Sequence, residues 1–221
     1  GCYSLGANSP FLAVDTTACM GASIGQAMGM EKAGVDQKVV AVIGDSTFMH
    51  SGITSLVNAV YNQSKITIII LDNETTAMTG HQGHPGTGIS ARGQETKKVE
   101  LENLISGIGV TDVKVVDAFD VRAVRQQVRS SLDNPELSVI IARGPCAMLV
   151  RTRDEPRVID SLKCDRCGVC FLTGCSAIQQ DNERIFIDSA LCLGEACNVC
   201  QQLCPQRAIV SQSEMITEEV R

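Results

Sequence analysis

Two short apolar runs, Val39 to Ile43 and Ile66 to Leu71, are flanked by polar residues and glycine. Runs of this length without a polar face suit strands buried on both sides of a parallel sheet. Between them Gly52 to Asn62 carries apolar residues at helical spacing, so Lys38 to Asn73 reads as strand, turn at Gly44-Asp45-Ser46, helix and strand. The alternation continues: Val99 to Gly107 predicts a helix, Val113 to Val116 a strand, Val121 to Leu132 an amphipathic helix and Ser138 to Ala142 another buried strand. Strands alternating with helices imply the α/β class with a doubly wound parallel sheet. Upstream, Gly1 to Pro10 is loop-like, and from Thr16 the positions Ala18, Met20, Ile24, Ala27 and Met28 have helical spacing. Gly21, Gly25 and Gly29 recur every four residues. They make either a flat face for close packing or, at the turn Ala18 to Gly21, a backbone that a cofactor can approach.

Both central strands run into a carboxylate or amide at their carboxyl ends, where open α/β sheets bind ligands. Asp45 and Asn73 are positioned to share one cation, with a nearby helix start offering N–H groups to a phosphate, which reads as a magnesium-diphosphate site. Glu74 to Gly93 follows without periodicity, and such long loops are commonly functional. Within it His81 and His84 are candidate contacts to substrate or diphosphate, although a loop histidine is more often simply solvated.

After Gly144-Pro145 and a charged linker over residues 151–157, the composition changes: eight of the eleven cysteines lie between Cys164 and Cys204. The segment repeats itself. Leu162 to Cys170 is echoed by Ala190 to Cys200, and Cys175 to Ile178 by Cys204 to Ile209, with a short strand expected at Arg184 to Asp188. The two-cluster arrangement C-x2-C-x2-C-x3-C-P, whose fourth cysteine crosses to the other cluster, assigns Cys164, Cys167, Cys170 and Cys204 to one [4Fe-4S] site. Cys175, Cys192, Cys197 and Cys200 then form the second. Four residues separate Cys170 from Cys175 and Cys192 from Cys197, and Ser176 stands where proline is usual, which leaves a three-iron second cluster open. Structural zinc also suits paired C-x2-C groups, but it does not account for three cysteines at successive short gaps with a crossing partner. This part, residues 158–212, is expected to be an α+β two-cluster bacterial-ferredoxin-like domain behind a first domain over residues 1–150.

A net charge of -6 and seven aromatics, none of them Trp, argue against a nucleic-acid surface. No membrane span or leader is visible, and the C-x2-C spacings favour a reducing, anaerobic, cytoplasmic setting over disulfides. The chain starts at Gly1 with no strand before Cys2, which reads as part of something longer.

Gly44-Asp45-Ser46 and Asp72-Asn73, with 25 residues between Ser46 and Asp72, resemble the thiamin-diphosphate motif that begins Gly-Asp-Gly and ends in Asn. Joined to the cysteine array and to the loop Thr76 to Gly88, they resemble the carboxy-terminal part of the α subunit in the indolepyruvate ferredoxin oxidoreductase family, among the 2-oxoacid:ferredoxin oxidoreductases. The resemblance implies Asp45 and Asn73 as side-chain ligands of Mg2+ and the Thr75 carbonyl as a third. It places Ser46 beside the diphosphate, Met20 as the wedge that bends thiamin, Ala18 against the aminopyrimidine, and Cys2 in a loop near the thiazolium. It implies oxidative decarboxylation of an aryl 2-oxoacid, with coenzyme A as co-substrate and an external ferredoxin as electron acceptor. Lys163, Arg166, Arg184 and Arg207 are a candidate landing patch for that ferredoxin. A pyrimidine-binding domain and a second subunit are expected to complete the enzyme, this chain being inactive alone. Oxidation of pyruvate or a branched-chain oxoacid, or a non-catalytic electron-transfer role, are the alternatives.

Overall fold

The computed structural model describes residues 1–150, 155–182 and 184–219, so most of the expected linker lies outside the described residues. The chain divides into two compact units, Gly1–Leu5 with Val14–Cys146, and Gly6–Ala13 with Ala147–Arg221. Residues 6–13, which chain order assigns to the first domain, therefore pack with the cysteine-rich unit. There Phe11 lies over Gly174, at which an added Cβ would sit 2.5 Å from the ring. Cys2–Ala7 is a 3-10 helix rather than an open loop.

In the first unit, four parallel strands β1 (Val40–Gly44), β2 (Thr67–Asp72), β3 (Asp112–Asp117) and β4 (Ser138–Arg143) lie in the order β1-β2-β4-β3. Val40 pairs with Thr67 and Thr67 with Ser138, so the carboxyl ends of β1, β2 and β4 lie side by side. Ile43, Ile68, Ile70, Val139, Ile140 and Ile141 are fully buried, each such side chain stabilising the fold by roughly 1.5–3 kcal/mol. Helices α1 (Ser23–Lys32), α3 (Ile53–Tyr61) and α4 (Leu101–Ile108) share one apolar cluster with the sheet through Ile24, Met28, Leu56 and Ile105. Helix α5 (Val121–Asp133) packs on β3 and β4, capped by the Asp120 carboxylate accepting from the Ala123 N–H at 2.9 Å.

Two expectations change here. The turn at Gly44-Asp45-Ser46 is instead a direct passage from β1 into helix: Gly44 is extended and α2 (Asp45–Thr47) starts at the next residue. It runs through a π-helical turn, Phe48–Gly52, into α3. The wider turn breaks the 3.6-residue period on which the helix prediction depends, so only the part after Gly52 is visible in the pattern. Glycine is required at Gly52, where a Cβ would lie 2.8 Å from the Phe48 ring and 2.9 Å from Ile43. Helix α1 likewise starts at Ser23, not Thr16. Gly21 precedes it at a φ of +91° and abuts Ser51 in the π-helical turn, while Gly25 and Gly29 face open space within the chain. Among the described residues, then, Gly21 makes the close contact with the π-helical turn, and the glycine spacing does not form a continuous packing face.

The second unit holds two antiparallel pairs, β5 (Arg157–Ile159) with β8 (Ile209–Ser211) and β6 (Ile178–Gln180) with β7 (Ile185–Ile187), together with α6 (Val199–Leu203) and α7 (Gln212–Glu219). The strand expected at Arg184 to Asp188 is β7. Strands of three residues are too short for periodicity, which is why β5, β6 and β8 escape the sequence pattern. The repeat is visible bond by bond. The Asp160 N–H donates to the Ala208 carbonyl and the Asp188 N–H to Ala177, both at 2.8 Å; Cys164 donates back to Asp160 and Cys192 to Asp188, at 3.0 and 3.1 Å. Ile178, Ile185, Ile209 and Cys170 form the small core.

Candidate functional site

Asp45 is placed by two neighbours in the sheet. It opens the helix that leaves β1, and the chain leaving β2 folds around it. Oδ1 accepts from the Ser46 N–H at 2.6 Å, and Oδ2 accepts from Asn73 at 3.2 Å and Glu74 at 2.9 Å. The turn that delivers the last two is closed by the Thr75 N–H on Asn73 Oδ1 at 3.2 Å, with Glu74 in the left-handed region at a φ of 59°. Asp45 and Thr75 are buried, Asn73 half-buried. The residues expected around the cation thus come together, and among the described residues no Lys or Arg pairs with Asp45.

A buried neighbour makes that charge more conspicuous. Asp72 lies beside Asp45; burial, and to a lesser extent the Asp45 carboxylate, push its carboxyl up, against the opposing pull of Arg143. Arg143 Nε lies 2.7 Å from Asp72, and its other two nitrogens grip Glu102 at 2.9 and 3.1 Å. This fork on Glu102 holds that carboxyl below its ordinary value and raises the guanidinium. Asp72 thus has its own cation and Asp45 has none.

The loop after β2 is folded by its own bonds. The Thr76 N–H donates to Gln82 and the His81 N–H to Thr76, both at 3.0 Å, and the Val99 N–H reaches Pro85 at 3.0 Å. His84 is not solvated: its side chain is 5% exposed, and Gly86 donates to Nδ1 at 3.2 Å, so Nε2 carries a proton. Nε2 lies 3.3 Å from Asp45 Oδ2, off the line of a hydrogen bond, and is left buried without a hydrogen-bond partner. Thr76 Oγ1 donates to Ser46 Oγ at 2.7 Å, a contact that sequence reasoning missed because nothing in the spacing links the two hydroxyls. His81, by contrast, is exposed at a φ of 62°, with Nε2 3.9 Å from the Cys146 sulfur. The Cys146 N–H in turn donates to the Asn73 carbonyl at 3.4 Å.

The remaining expected positions, Cys2, Ala18 and Met20, are exposed. A Cβ on Gly44 would be 3.7 Å from the Tyr3 ring, which sets Gly1-Cys2-Tyr3 at the carboxyl end of β1. Burial raises the Tyr3 hydroxyl. Ala18 and Met20 are exposed on the turn that ends at Gly21, against Ser51.

A family model described as thiamine pyrophosphate enzyme, C-terminal TPP binding domain, matches residues 1–142. The chain belongs to the thiamine pyrophosphate enzymes. Proteins named indolepyruvate oxidoreductase subunit IorA from Archaeoglobus fulgidus and Methanothermobacter marburgensis are 45% and 40% identical to it over 215 and 211 residues, 95% of this chain in each case. The chain spans 34% of the length of each. A solved 2-oxoglutarate:ferredoxin oxidoreductase from Magnetococcus marinus, with 2-oxoglutarate, coenzyme A and succinyl-CoA bound, superposes with a TM-score of 0.54 at 16% identity. That likeness covers 57% of this chain and 46% of that one, and is one of fold. No helix among the described residues is long and apolar enough to cross a membrane.

The match to the thiamine pyrophosphate enzymes ends at residue 142, before the segment that carries the eight clustered cysteines. Cys170 is raised mainly by burial, and the thiols whose charges it feels are Cys164, Cys167 and Cys204. Cys200, pushed up to about 11 chiefly by burial, feels Cys197, Cys175 and Cys192, and Cys197 feels Cys175 and Cys192. Each of these neighbours belongs to the same expected set as the thiol it acts on. The first expected set lines a cavity with Ile159, Ile185, Pro205 and Ile209. Among the described residues no three His, Cys, Asp or Glu side chains converge on one ion position. All eleven cysteines are free. Of the four cations considered as a landing patch, Lys163 lies 3.2 Å from Asp160 and Arg184 3.8 Å from Asp181, so half of that charge is matched locally.

Proposed function

We propose that this chain is the cofactor-holding and electron-carrying part of an oxidoreductase that oxidatively decarboxylates aryl 2-oxoacids of the indolepyruvate type, with coenzyme A as co-substrate. Its electrons pass through two [4Fe-4S] clusters to an external ferredoxin. One observation carries the reading: a TPP-binding domain with a buried, cation-less carboxylate at its sheet edge shares a chain with two four-thiol sets.

The residues fit magnesium and the diphosphate. Burying a carboxylate beside a second one is costly unless a cation is close, and Asp45 with the Asn73 amide and the Thr75 carbonyl supplies the hard oxygen ligands that Mg2+ prefers. His84 Nε2, buried without a hydrogen-bond partner, and the Ser46 hydroxyl, which accepts from Thr76 and so can donate onward, are the donors offered to phosphate oxygens. The cofactor, when bound, supplies the carbanion chemistry that lets a 2-oxoacid lose carbon dioxide. This chain's own residues fix the diphosphate end and keep it in register with the sheet. Gly1-Cys2-Tyr3, Ala18 and Met20 present backbone and an apolar side chain where the rest of the cofactor would extend, and His81 is the exposed group at that rim. A pyrimidine-binding domain and a second subunit complete the enzyme, consistent with relatives that are named as subunits and are about three times as long.

The thiol sets fit clusters in donor number and softness: four per site, grouped across the repeat, inside a small apolar core. Anaerobic purification followed by iron, sulfide, magnesium and thiamin analysis tests both halves. Roughly eight irons and eight sulfides per chain, with thiamin diphosphate bound in the presence of magnesium, is the expected result. Zinc without sulfide would end the electron-transfer half. Dye reduction by the full complex with indolepyruvate, phenylpyruvate and pyruvate then decides the substrate class, pyruvate outpacing the aryl acids being the outcome against this reading.

A further inference from the structure

The two halves of the cysteine-rich unit share matching backbone bonds at Asp160 and Asp188 but differ in their charges. Arg157, the first residue of β5, is 5% exposed, and its side chain turns into the half of the repeat that carries the second thiol set. Nε donates to Asn198 Oδ1 at 2.8 Å. Asn198 sits between Cys197 and the helix bearing Cys200, at a left-handed φ of 55°. The Arg157 backbone N–H donates to the Cys192 sulfur at 3.4 Å, and the Gly194 N–H to the same sulfur at 3.3 Å. One residue thus aims both a backbone dipole and a permanent cation at that set. Among the described residues the carboxylates facing the guanidinium are Glu195, whose side chain is 62% exposed and 3.6 Å away, and Glu214, also exposed, so water weakens the pull of both without removing it.

The first set has a different environment. Its sulfur Cys204 accepts from the Ala208 N–H at 3.3 Å. The Cys167 N–H, however, is taken by the Asp165 carboxylate at 3.1 Å, and Asp165 lines the same cavity as Cys164, Cys167, Cys170 and Cys204. The nearby Lys163 is held by Asp160. One set therefore has a buried cation and two N–H donors on a single sulfur; among the described residues the other has one N–H donor on Cys204 and an exposed carboxylate at its wall, screened by water as Glu195 is.

Reduction adds one electron to a cluster, so positive charge and N–H···S bonds favour the reduced form and negative charge opposes it. We infer that Arg157 makes the two cluster sites unequal, the Cys175, Cys192, Cys197, Cys200 site having the higher potential and being reduced first. This rests on the proposed iron-sulfur reading. In the overall reaction the electron comes from oxidation of the 2-oxoacid; in a titration it comes from dithionite.

The test is an anaerobic, EPR-monitored potentiometric titration of the purified chain, with iron and sulfide measured on each sample. The two signals are assigned by Cys167→Ala and Cys197→Ala. Arg157→Gln retains an amide donor for Asn198 but loses the charge, and should lower the second-set midpoint by a shift equal to about a tenfold change in reduced fraction, 59 mV for one electron, leaving the first set unmoved. Glu195→Gln, at an exposed and partly screened position, should raise the same midpoint by a smaller shift than Arg157→Gln lowers it. Unchanged midpoints in both variants, equal movement of both clusters, or a first set that is reduced before the second in the unaltered protein would each overturn the inference. Should Arg157→Gln not hold its clusters, Glu195→Gln decides alone. Unaltered protein without iron and sulfide instead removes the iron-sulfur reading on which the inference rests.

Discussion

Replacing Asp45 with Ala separates the work this residue does for the fold from the work it does for the ligand. In the free chain its carboxylate is 4% exposed on the side chain and accepts three backbone N–H groups. A hydrogen bond to a charged partner is worth about 1.5–3 kcal/mol, so their loss costs several kcal/mol. Against that stands the desolvation of a buried carboxylate without a cation, also several kcal/mol. The two terms are of one size and opposite sign, so the ligand-free variant should unfold within about 2 kcal/mol of the unaltered chain. The ligand term has no such offset. With magnesium and thiamin diphosphate at ~100 times the dissociation constant, the unaltered chain gains about 2.7 kcal/mol, or about 5–11 °C in Tm for a chain of this size. The variant should gain under about 1 °C. Thermal melts followed by far-UV circular dichroism, with and without ligand, read both quantities, while the visible absorbance reports the clusters independently. An equal ligand-induced shift in the variant refutes the placement of magnesium at Asp45, and loss of the cluster absorbance refutes the independence of the two units.

Three further outcomes are expected. Arg143→Ala strips the cation from Asp72 and Glu102 and should cost about 3 kcal/mol at neutral pH. Glu102, held low by Arg143, adds stability that is present above its ordinary value and fades as pH falls through its folded one, whereas Asp72, held high, favours the fold in acid and loses that as pH rises. The gap between unaltered and variant chains should therefore shrink in acid, and a pH-independent gap in urea melts would contradict this charge assignment. His84→Ala should weaken magnesium-dependent thiamin diphosphate binding about tenfold by calorimetry with little change in the fold; unchanged affinity would remove His84 from the site. Cys204→Ala and Cys170→Ala should extinguish the same EPR signal with about half the iron, and Cys175→Ala the other; loss of one common signal by Cys204→Ala and Cys175→Ala would break the crossed pairing.

The strands were legible because a parallel strand buried on both faces carries few polar positions to blur it, and in Ile66 to Leu71 Thr67 alone interrupts the apolar run. The repeat in the cysteine-rich segment was legible because it sets Leu162 to Cys170 against Ala190 to Cys200, and matching backbone bonds of Asp160 and Asp188 carry it in the fold. Asp45 and Asn73 could be paired because strand ends in a parallel sheet lie at one edge whatever the loops do. Three-dimensional packing decided the rest. Nothing along the chain says that His84 leaves solvent to lie against Asp45, that Thr76 reaches the Ser46 hydroxyl, that Arg143 neutralises Asp72 and leaves Asp45 bare, or that residues 6–13 join the second unit. These depend on contacts between positions tens of residues apart, for which periodicity carries no record. The π-helical turn hid the true start of its helix by shifting the register that a sequence pattern assumes. In the cysteine-rich unit the repeat draws attention to the cysteines, and the burial of Arg157 against Asn198 and Cys192 is decided by packing across 35 to 41 residues.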